Sequence, residues 1–569
     1  MKHFRIPQKL VAPVLIAGTI IALYSCTLYE RREWFGKMNA TLWLTGGTLK
    51  FARNWYRDGA INDAFLLLER PPSIEFPTLN DRGIYVSYPS GCILPIHLMA
   101  LLSGSEPTPA MVMAYNCAIH LLVSLLFAFT VFLGVRSLNL GPIQTFFLSM
   151  LSAVFYLLSP HTMSLHHNEY FADMAVMLPF AAVVFLEVLL ATVPISRPYR
   201  MGLLMLQHFF LALGLFTDYL FVFVYISLYL KKALTGELGR STLFFIRNSL
   251  LFSISAILPL GLFLYQVMHF NRMDALADKF LFRTAGNNEG QKYVTDFYGQ
   301  FWEKFVATTM GTKAIVLVFA SVVVIAVAVV AILWLHRYRG TDTSPVARSL
   351  LGTCAVVTCA CLCQLYFLKN HTVIHPFSAL KVSFLIAIVP LGLLPVALAG
   401  LTPLSRSILV GDGFECRGIF FLERQLHLPM VSLLLVLFTL GYVAEVHGNY
   451  RSIIDRPENR EEEIGYFLNR HTRYSDVVFS DTLRIAENPP TLAGLSMKLM
   501  YQVTSAEQIR DMITRVSDDA NVVFVLDRKS SKRTAPLGPT ALWRNAETID
   551  EGGNLVLYRV SRAQFLAHL

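Results

Sequence analysis

A polytopic α-helical membrane protein is the fold class that this sequence predicts, on the basis of its composition and its apolar runs. The chain has 569 residues, of which 54% are hydrophobic and only 15% charged, and its mean hydropathy is +0.50. A soluble protein of this size would have about a quarter of its residues charged. Several apolar runs reach the length of about 20 residues that a membrane-spanning helix needs.

The apolar runs predict about 11 transmembrane helices, counted against the length that a bilayer requires. The first run has no small-residue cleavage site after it and is longer than the apolar part of a secretory signal, so we expect an uncleaved first helix. The run at 90–103 is shorter and is predicted to enter the membrane interface without crossing. The predicted spans are 8–29, 110–135, 142–159, 174–194, 201–217, 219–231, 243–269, 313–335, 349–368, 380–400 and 429–446.

The distribution of basic residues predicts the orientation, because lysine and arginine are enriched in cytoplasmic loops. Lys2, Arg5 and Lys9 precede the first span, whereas the loop at 160–173 contains neither residue type. We therefore expect a cytoplasmic N-terminus in the cytoplasmic (inner) membrane. An odd number of spans would then put the C-terminal segment on the periplasmic or extracytoplasmic side.

Two domains are predicted: a transmembrane domain at 1–446 and a small soluble α/β domain at 447–569. Amphipathic stretches in the first external loop (30–89) and in the external loop at 270–312 are expected to lie on the bilayer surface. The soluble domain is predicted from strand-like runs at 477–480, 499–503, 521–526 and 555–560, with helical patterns at 459–470 and 505–516. Neither a glycine-rich phosphate loop nor a basic, aromatic stripe is present in the sequence, which argues against nucleotide and nucleic-acid partners.

Histidines and acids at 161–173 form the first candidate site, at the predicted outer edge of the membrane, where ionisable groups are costly and often functional. His166, His167, Glu169 and Asp173 could activate a hydroxyl group or bind a divalent metal. Their spacing is not that of a zinc site, so no metal ligand or cofactor is assigned. A hydrated loop at the interface explains the same residues.

A second candidate site contains His371, His375 and Lys381. Pro376 favours a helix that begins near His375, and a helix start flanked by positive charge can bind an anion. Alternatively, Lys381 extends its ammonium group to the interface.

Five further candidates are less specific. Asp218 interrupts an apolar stretch and either caps the next helix or lines the same cavity. Tyr85 and Tyr88 either form the floor of that cavity or belong to a simple turn. Glu30 is the nearest acid to the end of the first span, together with Glu33.

Four stretches, taken in order, resemble the GT-C superfamily of integral-membrane glycosyltransferases, specifically the bacterial relatives of protein O-mannosyltransferases and aminoarabinose lipid A transferases. They are KFARNWYRDG, YVSYPSGCILPIHLMALLSG, YFADM and HPFSALK. The resemblance implies a hexosyl or pentosyl transferase that takes a sugar from a polyprenyl-phosphate donor at the outer membrane face. The implied acceptor is a glycan, a lipid or a protein.

The resemblance also implies roles for individual residues. The family's usual catalytic aspartate falls on the LTGG stretch at 44–47, which has no acid. Asp173, Glu30 or Glu33 would then be the base, and Lys381 and His375 would stabilise the departing phosphate. The remaining candidates would bind substrate: His166, His167, Glu169, Asp218, His371, Tyr85 and Tyr88.

Three alternatives stay open. A polysaccharide ligase or polymerase would need a late external loop with arginine and histidine, and the loop at 270–312 has Arg283 but no histidine. A transporter would show internal repeats and charged groups at the midplane, which this sequence lacks. A non-catalytic glycan-binding relative is consistent with the missing acid at 44–47.

Overall fold

Helices dominate the part of the chain that the structure, a computed structural model, describes. The described residues are 8–30, 32, 43–70, 76–137, 142–239, 241–301, 345–385, 387–388, 460–473, 475–480, 498, 500–503, 505–527, 543, 545–550 and 554–567. The helices are α1 (Gln8–Glu30), α2 (Trp43–Asn54), α3 (Leu94–Ser103), α4 (Pro109–Ser137), α5 (Pro142–Leu157), α6 (Pro160–Asn168), α7 (Ala172–Ala175), α8 (Met177–Thr192), α9 (Arg197–Leu215), α10 (Leu220–Leu234), α11 (Thr242–His269), α12 (Met273–Arg283), α13 (Asn288–Gln291), α14 (Phe297–Gln300), α15 (Pro345–Phe367), α16 (Lys369–Ile374), α17 (Arg460–His471), α18 (Ala506–Ile513) and α19 (Arg562–Ala567). A π-helical turn at Trp55–Gly59 and 3₁₀ turns at Ser90–Cys92 and Pro376–Ala379 complete them.

Five helical segments within these ranges are long and apolar enough to cross a membrane, and a sixth is formed if α5 and α6, bent by 58°, are one span. Helices occupy each predicted span up to 243–269, and the span at 349–368 as well. The runs at 313–335 and 429–446, and most of 380–400, lie outside the described residues. The total of about 11 spans therefore stays a prediction. The five segments are Val11–Glu30, Pro109–Ser137, Ala172–Thr192, Thr242–His269 and Ser349–Phe367.

The core of the helical part is built on α4, which packs against α5 and α8. Aromatic side chains fill its centre: the rings of Phe180 and Phe384 stack with centroids 3.9 Å apart, and Phe127 meets Phe384 edge-on at 4.5 Å. In a bilayer, such close packing stabilises helix association, because lipid tails are as apolar as these side chains. The segment that begins near Leu380 is thereby anchored inside the bundle.

The first-loop helix α2 is buried within the protein, so the bilayer-surface position predicted for it is wrong. Its basic residues are almost fully enclosed, Lys50 at 2% and Arg53 at 4% exposure. Two of its threonines bond to one residue: the backbone N–H of Tyr170 donates to Thr45 Oγ1 at 3.0 Å, and Thr48 donates to the Tyr170 carbonyl at 2.9 Å. These contacts tie the first loop to the segment that leads to Asp173.

The other amphipathic stretch, at 292–305 in the external loop, forms only the short helix α14 among its described residues. Two of its aromatic side chains are exposed, with Tyr293 at 46% and Tyr298 at 72%. The stretch from 302 onward lies outside the described residues.

The C-terminal segment contains a five-stranded mixed sheet in the order β2-β1-β3-β5-β4. The β1 strand pairs in parallel with β2 and β3, and β5 pairs antiparallel with β3 and β4. Strands β1, β2, β3 and β5 lie at or near the predicted strand positions, whereas β4 was not predicted because its sequence, ETID, is mostly exposed and polar. The strands are β1 (Val477–Ser480), β2 (Met500–Gln502), β3 (Asn521–Asp527), β4 (Glu547–Asp550) and β5 (Leu555–Ser561).

Both faces of this sheet are covered. Successive residues of β3 point to opposite faces, so that Val523 and Val525 pack in one apolar cluster while Val522 and Phe524 pack in the other. Helix α17 covers the first face, and helices α18 and α19 cover the second.

Candidate functional site

An ion pair between Asp173 and Lys381 lies at the centre of the candidate site. Lys381 donates a hydrogen bond to Asp173 Oδ1, and both side chains are 1% exposed. The carboxylate is in the first turn of α7, whereas the lysine follows the 3₁₀ turn Pro376–Ala379. The two candidate clusters that lie about 200 residues apart in sequence thus meet through one buried contact.

Tyr88 joins this pair to the histidines of the second cluster. Its hydroxyl lies 3.4 Å from Asp173 Oδ2 and 3.0 Å from His371 Nε2. The ring of His371 is 4.6 Å from that of His375, which in turn stacks on Phe377 at 4.8 Å. A line of polar groups therefore runs from the carboxylate of Asp173 to His375, which is only partly buried.

Asp218 is a second buried carboxylate at the same site. Its Oδ1 accepts from the backbone N–H of Leu220 at 2.7 Å and from Gln364 Nε2 at 3.1 Å. It also interacts electrostatically with Lys381 and Asp173. The bond to Leu220 agrees with the predicted capping of α10, whereas a place for Asp218 in a substrate cavity stays a prediction.

Arg283 is a site residue that the sequence did not single out for this cluster. It comes from the last turn of α12, donates to the carbonyl of Ser87 at 2.8 Å, and is 8% exposed. Its guanidinium lies 4.4 Å from the ring centre of Tyr88 and 5.8 Å from that of Tyr219. These two rings stack at 5.8 Å, so that the arginine holds both through cation–π contacts.

A close backbone approach aligns these rings. The N–H of Gly91 donates to the carbonyl of Phe216 at 2.7 Å, and a Cβ on Gly91 would lie only 2.3 Å from that oxygen. Only glycine fits such an approach. The turn that carries Tyr88 is thereby fixed against the turn that carries Asp218 and Tyr219.

The histidines of 161–173 belong to a different cluster, so the expectation that all of them bind substrate needs correction. Both ring nitrogens of His166 are used inside the protein: Nε2 bonds to Tyr156 Oη and Nδ1 to Asn116 Oδ1, each at 2.8 Å. Its ring stacks on His120 at 4.8 Å, and His167 lies 5.5 Å from the same His120. His166 has no ring nitrogen left for a substrate.

Three other acids were candidates: Glu169, Glu30 and Glu33. Glu169 is 5% exposed, and its backbone carbonyl accepts from Asn116. Glu30 is exposed at the end of α1, and Glu33 lies outside the described residues. Within the described ranges, no group of three His, Cys, Asp or Glu residues is suited to hold a metal ion.

A small pocket that opens to solvent is lined in part by Tyr85 and Tyr88. Ser90 and Gln266 contribute further polar groups, and the apolar remainder comes from the first loop and the end of α11. That these tyrosines form the floor of a substrate cavity stays a prediction.

Charged groups beside the site join the first loop to the C-terminal segment. Arg57 forms an ion pair with Glu106 at 2.6 Å and interacts electrostatically with Lys498. Burial, opposed by Asp476 and reinforced by Arg57, lowers the pKa of Lys498 to about 8. Tyr466 of α17 packs against the core of the helical part.

Solved structures of membrane transferases are similar to this chain. The Archaeoglobus fulgidus oligosaccharyltransferase in its apo form superposes with a TM-score of 0.50 at 9% identity, over 93% of this chain and 70% of that chain. At this level of identity the similarity is one of fold alone. No protein-family model and no curated protein sequence matches the chain.

Two further solved structures are similar over most of this chain. ArnT from Cupriavidus metallidurans bound to undecaprenyl phosphate gives a TM-score of 0.46 at 12% identity, over 96% of this chain and 97% of that chain. Archaeal oligosaccharyltransferase AglB from Archaeoglobus fulgidus in complex with an inhibitory peptide and a dolichol-phosphate gives a TM-score of 0.49 at 9% identity. The match covers 92% of this chain and 70% of that chain.

Proposed function

We propose that this chain is a membrane glycosyltransferase that transfers a hexose or pentose from a polyprenyl-phosphate donor to a glycan, lipid or protein acceptor. The buried pair of Asp173 and Lys381 carries the proposal. A carboxylate beside an ammonium group supplies both functions that the reaction needs: a base for the acceptor and a positive charge for the phosphate.

In the proposed reaction, Asp173 takes the proton from an acceptor hydroxyl group as its oxygen attacks the anomeric carbon of the donor sugar. The bond between that carbon and the phosphate oxygen breaks, and its electron pair leaves with the polyprenyl phosphate. Lys381, assisted by His375, stabilises the negative charge that develops on this oxygen. The products are a glycosylated acceptor, the free carrier phosphate and a protonated Asp173.

The reaction is assigned to the outer face of the cytoplasmic membrane. Asp173 and Asp218 lie at one end of α8–α10, whereas Lys231 and Lys232 lie at the other, and basic residues favour the cytoplasmic side. The electrostatic contact between Arg57 and Lys498 supports a C-terminal domain on the same side as the first loop.

The test is carrier consumption by the purified protein. We expect one or more carriers from a panel of polyprenyl-phosphate sugars to lose their sugar when acceptor is supplied as cell-envelope extract, with and without a chelator. Asp173→Ala and Lys381→Ala should abolish the turnover while the protein stays folded in detergent. Full activity in either variant would remove that residue from the mechanism.

A non-catalytic glycan-binding role is the second candidate, favoured by one observation. Thr45 stands in the stretch where the family's acid is expected, and its Oγ1 is already engaged by the Tyr170 backbone. Binding of a carrier without consumption of any sugar in the panel would support this role.

A further inference from the structure

Asp218 has one carboxylate oxygen in full use and one that is buried without a partner. Oδ1 accepts from Leu220 N and Gln364 Nε2, whereas Oδ2 has no hydrogen-bond partner within the described part of the chain. The residue is 1% exposed. A buried acceptor that is left unsatisfied is costly, and it commonly marks a place where a ligand or an ordered water donates.

Gln364 adds a second acceptor of the same kind. Its amide orientation is fixed by Asp218, because only the NH₂ group can donate to a carboxylate oxygen. Oε1 is then an acceptor, and it too has no partner among the described residues, although Gln364 is only 4% exposed. Two side chains that are bonded to each other therefore present two buried acceptor atoms that have no partner among the described residues.

We propose that Asp218 and Gln364 form a subsite that accepts hydrogen bonds from two hydroxyl groups of the transferred sugar. A hydroxylated ligand supplies the donors that these two acceptor atoms need, whereas a fully ionised phosphate supplies only acceptors. The proposal rests on the proposed function, because it assigns the sugar of the same donor whose phosphate Lys381 would bind. It also separates the two recognition tasks: Lys381 for the phosphate and the Asp218–Gln364 pair for the sugar.

A competing explanation gives Asp218 only an indirect role. Its carboxylate interacts electrostatically with Lys381 and Arg283, so that its loss could change phosphate binding through these cations. The two explanations differ in one measurable respect. If Asp218 belongs to a hydroxyl subsite, its loss weakens the binding only of carriers that bear a sugar. If it acts through Lys381 or Arg283, its loss changes the binding of every carrier phosphate.

The experiment measures equilibrium binding to the full-length protein in detergent. The probes are undecaprenyl phosphate without a sugar and the same carrier bearing glucose, mannose or arabinose. Asp218→Asn keeps an oxygen that can accept from Leu220 and Gln364 but replaces the vacant acceptor by a donor. We expect it to weaken binding of the preferred sugar-bearing carrier by about 10- to 150-fold, as for loss of a hydrogen bond to a charged group, and to leave the sugar-free carrier unchanged.

Gln364→Met is the second variant, and it should weaken binding of the same sugar-bearing carrier by a smaller factor than Asp218→Asn does. Monodeoxy forms of the preferred sugar complete the test: for the hydroxyl that Asp218 binds, wild type and Asp218→Asn should bind the deoxy carrier equally, because the interaction is already absent. Ser255→Ala, which removes a buried hydroxyl of α11 that donates to the Phe252 carbonyl, is the matched control and should change neither carrier.

Two results would overturn the subsite. One is an equal loss of affinity for sugar-free and sugar-bearing carriers in Asp218→Asn, which assigns Asp218 to the phosphate. The other is wild-type protein that binds all four carriers equally. Failure of the wild-type protein to bind any carrier is a different result, because it removes the proposed function itself.

Discussion

Lys381 and Asp173 neutralise each other in a pair that is almost completely shielded from solvent. This arrangement has a mechanistic consequence. The ammonium group that would bind the donor phosphate is already bound to the carboxylate that would act as base. A phosphate that takes over Lys381 would therefore release Asp173 to act as the base. In the proposed reaction, donor binding and release of the base would be coupled through this one lysine.

Asp173→Asn is the variant that tests this coupling. Without the competing carboxylate, Lys381 is available to an anion, so we expect undecaprenyl phosphate to bind severalfold more tightly than to wild type while sugar transfer is lost. Lys381→Met should lose both binding and transfer. The measurement is carrier binding by titration in detergent. Weaker binding in Asp173→Asn than in wild type would show that Asp173 and the carrier phosphate do not compete for Lys381.

The stability of the same variants provides an independent check. A buried charge that has lost its partner costs about 3–5 kcal/mol. The double variant Asp173→Asn/Lys381→Met should therefore unfold at a higher temperature than Asp173→Asn alone. A double variant that is less stable than either single variant would contradict the pairing.

The sequence predicted much of this site because ionisable residues at a membrane edge are conspicuous. Asp173, Lys381 and His371 were recognisable from position and residue type alone. Arg283 was not, since it lies in a polar loop where an arginine is unremarkable, and its contact with Tyr88 depends on tertiary structure. His166 was misassigned for a related reason: sequence cannot show that Asn116 and Tyr156 occupy both of its ring nitrogens.

The fold, like the candidate site, was predicted from the sequence only in part. Long apolar helices and β-branched strands were predicted close to their observed bounds, because local periodicity determines them. The position of α2 was missed because its amphipathic pattern does not show what its polar face contacts. In the structure, two threonines of α2 bond to the backbone of Tyr170, whereas the same pattern would suit lipid headgroups. Strand β4 was missed because its pairing with β5 depends on tertiary contacts that a polar stretch does not reveal.

Gly91→Ala should impair activity through the alignment of two turns. The added Cβ would lie 2.3 Å from the Phe216 carbonyl oxygen, so the turn of Tyr88 must move away from that of Tyr219. We expect a decrease in kcat of tenfold or more, on the order of the loss from a misplaced catalytic group. Gly202→Ala is the control, because nothing lies within 4 Å of its added Cβ. Equal activity of the two variants would show that the close approach is dispensable.

Glu187 connects four helices at the end of α8 opposite Asp173. It accepts from Lys231, from Lys232 at 2.9 Å and from Gln207 at 2.8 Å, and Lys231 also donates to Ser349 at 3.3 Å. Glu187→Gln leaves two buried ammonium groups short of an anion and should cost about 3–5 kcal/mol of stability.

The matched control for Glu187 is Glu237→Gln, whose side chain is 40% exposed and contacts the same two lysines. An exposed partner contributes about 0–1 kcal/mol, so its unfolding temperature should change little. Carrier binding should stay as in wild type for both variants, because the network lies far along α8 from Asp173. Equal unfolding temperatures for the two variants would contradict a stabilising role of Glu187.

Asp63 makes the stability of the first loop depend on pH. Its burial, reinforced by Asp58 and opposed by Arg82, raises its pKa from 3.8 to about 7. Between these two values the folded protein holds a proton that the unfolded chain has released, so stability decreases as the pH rises from about 4 to about 7. Asp63→Asn retains a neutral side chain at every pH. We therefore expect Asp63→Asn to raise the unfolding temperature more at pH 8 than at pH 5. Asp81→Asn, in an exposed turn with Thr78, should not change with pH in this way. Thermal unfolding of the three proteins in detergent at both pH values tests this, and a variant that gains nothing at pH 8 would show that Asp63 is ionised in the fold without penalty.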